Sequence, residues 1–246
     1  MQLIIAKDSQ QFGEIGANLV CQVVKNKPNA VLGFATGSTP IAIYEKLVEK
    51  YQKGEISFKN AFCCNIDEYV GLDKNHPQSY AYFMRKHLFD HVDVNFDNVE
   101  IPSGIAKNLL EECKRYKEFL AYHPRDLQIL GLGQNGHIGF NEPYTPFGSK
   151  THVVCLSKST IEANSRFFTS VNHVPTKAIT MGITELMTAK RLLVLACGRH
   201  KAEVVKDMIL GACHPHLPCS VVQLHPDATI LLDSQSASLL PDYLKE

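Results

Sequence analysis

The chain has 246 residues, of which 45% are hydrophobic and 20% charged, enough to bury the core of one large α/β domain. Lysine plus arginine and aspartate plus glutamate number 25 each, so no overall field attracts nucleic acid or an acidic membrane surface. The eight cysteines are scattered without a CxxC pair. That spacing favours buried, reduced thiols over a zinc site or a disulfide framework.

No segment of the chain reads as a targeting or membrane signal. The first six residues are too short and lack the basic flank of a signal peptide. No apolar run approaches the roughly 18 residues that a membrane-spanning helix needs. We therefore expect a soluble, cytoplasmic protein.

Short apolar runs rich in β-branched residues alternate with helical patterns along the chain. A first strand is expected near Leu3, and six further runs predict strands at 30–35, 61–66, 127–132, 178–181, 192–197 and 229–232. Helical spacing connects Tyr44 to Tyr51 and Leu109 to Leu120. The alternation predicts an α/β fold with a mostly parallel sheet covered on both faces, in a single domain over 1–246.

The loop after strand 30–35 suits an anion. It reads Thr36, Gly37, Ser38 and Thr39, followed by a proline and an amphipathic helix. A glycine, hydroxyl groups and a helix start let several backbone N–H groups point at one anion. The loop lacks the lysine of a Walker motif, which favours a phosphate monoester over a nucleoside triphosphate. An ordinary capped helix start explains the same letters, so both interpretations stay open.

Two carboxylates, Asp67 and Glu68, follow strand 61–66. Side chains of adjacent residues on an extended segment point to opposite sides, so at most one of them is expected to face a ligand. Solvated loop acids would show the same pattern, since aspartate and glutamate are usually exposed.

The segment 131–143, GLGQNGHIGFNEP, follows strand 127–132. It spells GxGxxG, but a dinucleotide site needs a helix that starts within the glycines and an acid about 20 residues downstream. Gly139, Asn141 and Pro143 oppose a helix, and 155–157 contain no acid, so we reject that interpretation. His137 with Asn135 and Glu142 instead favours acid–base chemistry, although a lone histidine is more often structural.

Four motifs, taken together and in this order, closely resemble the glucosamine-6-phosphate deaminase family. They are TGSTP at 36–40, NIDEYVGL at 65–72, GxNGHIGFNEP at 133–143 and NSRFF at 164–168. The resemblance covers almost the whole chain. It implies a Rossmann-like three-layer α/β/α sandwich that converts D-glucosamine 6-phosphate and water to D-fructose 6-phosphate and ammonia, in N-acetylglucosamine catabolism. It implies no organic cofactor and no catalytic metal.

The resemblance also implies roles for the acidic and histidine side chains. Asp67 matches the family's proton acceptor at C2, and His137 matches the residue that moves the ring-oxygen proton. Glu142 matches the acid that supports this histidine, and Asn135 stands where many members carry aspartate. An asparagine can orient an imidazole N–H but supplies no charge. We therefore expect Glu142 alone to supply the negative charge that stabilises the imidazolium.

For the phosphate, the loop from Thr36 to Thr39 matches the family loop, and Arg166 and Lys201 match its two cationic contacts. Arg166 falls in a segment, at about 145–170, that resembles the family's active-site lid. His152 stands where longer, hexameric members carry an arginine, and the chain ends soon after its last predicted strand. The resemblance therefore implies a monomer without an allosteric response to N-acetylglucosamine 6-phosphate.

Two alternatives share the fold. A 6-phosphogluconolactonase would need to activate water at a lactone, and the DEYVGL and HIGFNEP segments fit the deaminase better. A sugar-phosphate sensor would need a DNA-binding module and a basic patch, which this sequence does not show. Asp67, His137 and Glu142 also favour catalysis over sensing.

Overall fold

A parallel seven-stranded sheet forms the centre of the computed structural model, which describes residues 1–157, 161–162, 165, 168, 170 and 173–245. The order across the sheet is β1-β10-β9-β6-β2-β3-β5, and every described pair is parallel. The strands are β1 Gln2–Ala6, β2 Val31–Phe34, β3 Phe62–Asn65, β5 Val99–Glu100, β6 Leu127–Gly131, β9 Leu192–Ala196 and β10 Ala228–Asp233.

A second, three-stranded antiparallel sheet lies beside it, in the order β4-β8-β7. Its strands are β4 Asp67–Tyr69, β7 His152–Cys155 and β8 Lys177–Thr180. The predicted run 178–181 does form a strand, but it belongs to this small sheet and not to the parallel one. β4 starts two residues after the end of β3, so the chain passes directly from one sheet into the other.

Helices alternate with the strands and flank the parallel sheet, as the α/β prediction requires. Their bounds are α1 Ser9–Asn26, α2 Ile41–Gln52, α3 Tyr80–His87, α4 Leu109–Tyr122, α5 Ile183–Met187 and α6 Ala202–Leu210. The predicted apolar faces of α2 and α4 are buried at Tyr44, Leu47, Tyr116 and Leu120. None of the helices in the described ranges has the length and apolar character needed to cross a bilayer.

The core lies on both faces of the parallel sheet. All residues of β2 and β9 are buried, as are the first four of β6. Such continuous apolar runs are typical of strands covered on both sides. The predicted strands 30–35, 127–132 and 192–197 are therefore confirmed to within one or two residues at each end.

Six neighbouring strands have their carboxyl ends along one edge of the parallel sheet. In sheet order they are β1, β10, β9, β6, β2 and β3. At roughly 4.8 Å between neighbouring strands, this edge is about 24 Å long. In open α/β sheets ligands bind at this edge, and the loops singled out in the sequence all lie along it.

Candidate active site

A cavity of about 910 Å³ lies along the carboxyl edge of the parallel sheet. Eight of the ten predicted site residues line it: Thr36, Gly37, Ser38, Thr39, Asp67, Asn135, His137 and Lys201. Glu142 lies behind the lining and contacts Asn135. Arg166 lies outside the described residues, as do Asn164 and Phe167 of the same motif.

The loop at 36–40 leads into α2 without a side-chain cap. The carbonyl oxygen of Pro40 accepts the N–H groups of Ile43 and Tyr44 at 3.0 and 3.1 Å. The N–H groups of residues 37–39, 41 and 42 have no acceptor within the described part of the chain. The alternative of an ordinary capped helix start is therefore wrong. Residues 37–39 and 42 line the cavity, as an anion site would.

Lys201 approaches the same cavity from the end of β9. It closes a 3₁₀ turn, Arg199–Lys201, and directly precedes α6. Burial lowers the pKa of its ammonium group to about 8 because the charged form loses hydration. A dianionic ligand in the cavity would stabilise the charged form of the Lys201 ammonium, so this cation suits a phosphate.

Asp67 is held by backbone pairing on both sides. The N–H of Ile66 donates to the carbonyl of Phe34 in the parallel sheet, at 3.2 Å. Asp67 itself pairs with Thr180 in the antiparallel sheet. Asp67 is 7% exposed and lines the cavity. The junction of the two sheets thus places one buried carboxylate at a defined point of the site.

Glu68 points to the other side, as the alternation predicts. Its carboxylate accepts the N–H groups of Tyr69, Tyr80 and Ala81 at 2.8 to 2.9 Å, and it lines a separate cavity of about 570 Å³. Burial raises the pKa of Glu68 to about 7 in spite of these bonds. Glu68 therefore anchors the start of α3, and Asp67 alone of this pair faces the larger cavity.

Burial also raises the pKa of Asp67 well above its ordinary value, and the charge of Glu68 raises it further. A raised pKa makes the ionised carboxylate a stronger base. This environment is suited to removal of a proton from carbon.

The His137 loop contains a relay of three side chains. Asn135 Nδ2 donates to Glu142 Oε2 at 2.7 Å, and Asn135 Oδ1 lies 2.7 Å from His137 Nδ1. Between His137 Nδ1 and Glu142 Oε2 the distance is 3.9 Å. The turn places the Asn135 amide between imidazole and carboxylate, so Asn135 orients His137 Nδ1 and Glu142 stays the expected source of the negative charge.

The relay fixes the protonation of the imidazole. Because a carboxylate oxygen only accepts, Asn135 presents Nδ2 to Glu142 and Oδ1 to His137. His137 Nδ1 must then carry the proton, which leaves Nε2 as the basic nitrogen. Burial lowers the pKa of His137, the charge of Glu142 opposes that shift, and Lys201 adds to it. The neutral imidazole is thereby favoured.

The second glycine of the GxGxxG sequence, Gly133, has a packing role in this loop. A Cβ on Gly133 would overlap the His137 ring, so the imidazole lies directly against the Gly133 backbone. The N–H of Gly133 also donates to the carbonyl of His137 at 2.9 Å. No helix starts within these glycines, in agreement with the rejection of a dinucleotide site.

Asn141 holds the His137 loop in place. The sequence predicted only that Asn141 opposes a helix. Its buried Nδ2 donates to the carbonyls of Ile138 and Met181, both at 2.9 Å. It therefore ties the His137 loop to the end of β8. The only sequence signal for it was its place inside the GFNEP motif.

An open anion loop, a cation and an acid–base pair at the carboxyl edge of a parallel sheet define the class of α/β enzymes that act on small phosphorylated metabolites. The chain belongs to the family described as glucosamine-6-phosphate isomerases/6-phosphogluconolactonase, whose model matches residues 9–231. The resemblance drawn from the four motifs is thereby confirmed.

Several relatives match over nearly the whole chain. A glucosamine-6-phosphate deaminase from Thermoanaerobacter pseudethanolicus is 49% identical over 98% of this chain and 96% of its own. One from Bacillus pumilus is 46% identical over 97% of this chain and 100% of its own. The solved structure of a monomeric glucosamine-6-phosphate deaminase superposes with a TM-score of 0.95 and 42% identity, covering 97% of this chain and 100% of its own.

A more distant likeness is to 6-phosphogluconolactonase from Trypanosoma brucei. The TM-score is 0.82 and the identity 17%, over 98% of both chains. At this identity the likeness shows a shared fold, and it carries no statement about activity.

Proposed function

We infer that the chain converts D-glucosamine 6-phosphate and water to D-fructose 6-phosphate and ammonia. The observation that carries this function is the placement of a buried carboxylate, Asp67, and a neutral imidazole, His137, on one cavity that also has open N–H groups. Relatives named as deaminases at 46% and 49% identity support the same activity.

The phosphate group fits the loop at 36–42. Its oxygens can accept the open N–H groups of this loop while the Lys201 ammonium supplies a charge. We assign Arg166 as a second cation on the motif alone, together with a lid at about 145–170.

Ring opening falls to His137. In the tautomer that Asn135 imposes, Nε2 takes the proton of the C1 hydroxyl and returns it to the ring oxygen as the C1–O5 bond breaks. The positive charge that the imidazole carries between these two transfers is stabilised by Glu142 at 3.9 Å. The imidazole ends this step neutral.

The carbon chemistry falls to Asp67. Its carboxylate takes the C2 proton of the open aldehyde, the C2 electron pair forms the C1=C2 double bond, and O1 takes a proton from the substrate ammonium, which gives an enolamine. The same carboxyl then delivers the proton to C1, which leaves an imine at C2. Water adds to that imine and ammonia leaves, so that atoms and charges balance. The ammonium of the bound substrate favours the charged form of Asp67 in spite of its burial.

Assembly and location form part of the same proposal. The relative whose structure superposes best among those described above is a monomer, which supports a monomer here. The cysteines of the described structure are free, and Cys21, Cys63, Cys64, Cys113 and Cys219 are buried, which supports a reducing, cytoplasmic environment.

The test is ammonia release from glucosamine 6-phosphate by the purified chain, beside its Asp67→Asn variant. We expect kcat to fall by ~10² to 10⁴ in that variant, because a positioned general base typically contributes that much. KM should stay within about threefold, since the phosphate contacts remain.

Asp97→Asn is the matched control, because Asp97 is exposed and lies outside the lining of the cavity. Full activity of Asp67→Asn would refute the assigned base. Hydrolysis of 6-phosphogluconolactone without ammonia release would favour the lactonase. Binding of the sugar phosphate without any turnover would favour the sensor.

A further inference from the structure

The loop that carries His137 and Glu142 is hydrogen-bonded at both ends to a segment far along the chain, residues 213–220. The N–H of Cys219 donates to the carbonyl of Gly136 at 2.8 Å, and the N–H of Tyr144 donates to the carbonyl of Pro215 at 2.7 Å. One bond lies immediately before His137 and the other lies two residues after Glu142. The segment therefore brackets the acid–base relay.

Leu217 fills the space next to the turn between Asn135 and His137. Gly136 has φ +83°, and a Cβ at this position would overlap Leu217 Cδ1 and come within 3.3 Å of Cys219 Sγ. Gly136 is thus required both by its backbone conformation and by the close approach of Leu217. Gly136 is buried although its neighbour Asn135 is exposed, so the Leu217 side chain covers the turn from one side.

The segment is braced internally by a buried hydroxyl. Ser220 is fully buried. Its Oγ accepts the N–H of His214 at 2.9 Å and donates to the carbonyl of the same residue at 3.1 Å. The N–H of Leu217 also donates to the His214 carbonyl at 2.9 Å. These bonds hold Leu217 and the Pro215 carbonyl in fixed positions.

Tyr144 shows that the second attachment has a cost. It has φ +72° and is the one non-glycine residue with a positive φ in the described ranges, a conformation that is strained for tyrosine. Tyr144 is 75% exposed, so burial of its ring does not explain the strain. The bond to Pro215 is the compensation that the structure shows.

We propose that residues 213–220 are a positioning segment for the acid–base relay, in which Leu217 and Ser220 set the direction and the hydration of His137 without contacting the substrate. The proposal rests on the function inferred above for His137. It assigns to these two residues a task that none of the four sequence motifs contains.

Truncation of the Leu217 side chain should increase the hydration of the His137 imidazole. The Leu217→Ala variant opens the turn to solvent, so the pKa of His137, which burial lowers, should rise. Glu142, Lys201 and Asp67 are the charged groups around the imidazole, and the substitution alters none of them. The acid limb of kcat/KM should then move to higher pH, because the neutral imidazole is the active form.

The experiment measures kcat, KM and the pH profile together with an NMR titration of His137, assigned through His137→Gln. For Leu217→Ala we expect kcat to fall about tenfold, as slight misplacement of a catalytic group can cause. KM should change less than twofold, and the His137 midpoint should rise by about 0.5 to 1 pH unit, a fraction of the effect of full burial.

Leu217→Met should restore the wild-type values, since it conserves volume. Leu120→Ala, in the core on α4, is the control for general destabilisation and should leave the His137 midpoint unchanged. If Leu217→Ala does not fold, Ser220→Ala provides the test, with the same direction expected.

A folded Leu217→Ala variant with wild-type kcat and an unchanged His137 midpoint would overturn the proposal. The titration separates this failure from failure of the proposed function. A wild-type chain that releases no ammonia but shows the shifted midpoint in Leu217→Ala would refute the function and retain the positioning segment.

Discussion

The loop at 36–42 and the loop at 131–144 lie on the same cavity but are built in opposite ways. In the first, the backbone N–H groups of residues 37–39, 41 and 42 are left without acceptors among the described residues. In the second, side chains satisfy one another, from Glu142 through Asn135 to His137. The first loop can bind an anion but has no group that moves a proton.

The difference separates binding from chemistry. An anion held by backbone groups and one cation has the same contacts before and during the reaction, so changes there should act mainly on KM. A relay that fixes a tautomer acts on the step in which a proton moves, so changes there should act on kcat and its pH dependence. Each of the following substitutions tests that separation.

Among these substitutions, the largest effect is expected for Lys201→Met. Loss of a charge-assisted hydrogen bond of about 1.5–3 kcal/mol should raise KM roughly 10- to 100-fold. We expect kcat to stay within about twofold. Lys206→Met, on α6 and outside the lining of the cavity, is the control and should change neither constant. A collapse of kcat at constant KM would show that Lys201 belongs with the chemistry.

The pH dependence of KM sharpens the same prediction. Burial lowers the pKa of Lys201 to about 8, so its charge is present below that pH and is lost above it. In steady-state assays, kcat/KM should therefore fall as the pH rises through about 8. The Lys201→Arg variant should abolish this alkaline limb, because arginine stays charged. An alkaline limb that persists in the arginine variant would have another origin.

The two loops also differ in how far the sequence predicted them. The anion loop is local, since Thr36 to Thr39 and the start of α2 are adjacent, and its composition was a sufficient guide. In the relay the participants were identified but the order of their contacts was not predicted, because that order depends on how the turn folds. Residues 213–220 were missed because their contacts with Gly136 and Tyr144 join distant parts of the chain.

The same contrast holds for the fold. Long buried runs such as β9 carry their own apolar signal, and their positions were predicted well. β5 has two residues and β7 has no buried residue, so neither has a run that the sequence could reveal. The run at 178–181 was predicted as a strand, but pairing direction depends on partners such as Asp67–Tyr69, which lie far away in the sequence.

A smaller effect is expected for Asn135→Asp. A carboxylate 2.7 Å from His137 Nδ1 would stabilise the imidazolium and raise the pKa of His137 by about 1 to 3 units. Because the neutral form is active, the acid limb of kcat/KM should move to higher pH. Asn135→Ala, which removes the orienting oxygen without adding charge, should lower kcat at every pH instead. An unmoved acid limb in the aspartate variant would contradict the relay.

The smallest effect is expected for Tyr144→Gly. The anion loop makes its left-handed turn with glycine, Gly37 at φ +96°, whereas the relay loop uses Tyr144 at φ +72°. Glycine would relieve about 1–2 kcal/mol of strain and add about 0.5–1 kcal/mol of unfolded-state entropy cost. We therefore expect a net gain of ~0.5–1 kcal/mol in urea unfolding at an unchanged m-value. The N–H that donates to Pro215 remains, so kcat should not change.

Tyr144→Ala, which retains the strain, should give no gain. A less stable glycine variant would mean that the exposed tyrosine ring stabilises the loop, and a lower kcat would mean that the ring, and not only its backbone, serves the relay.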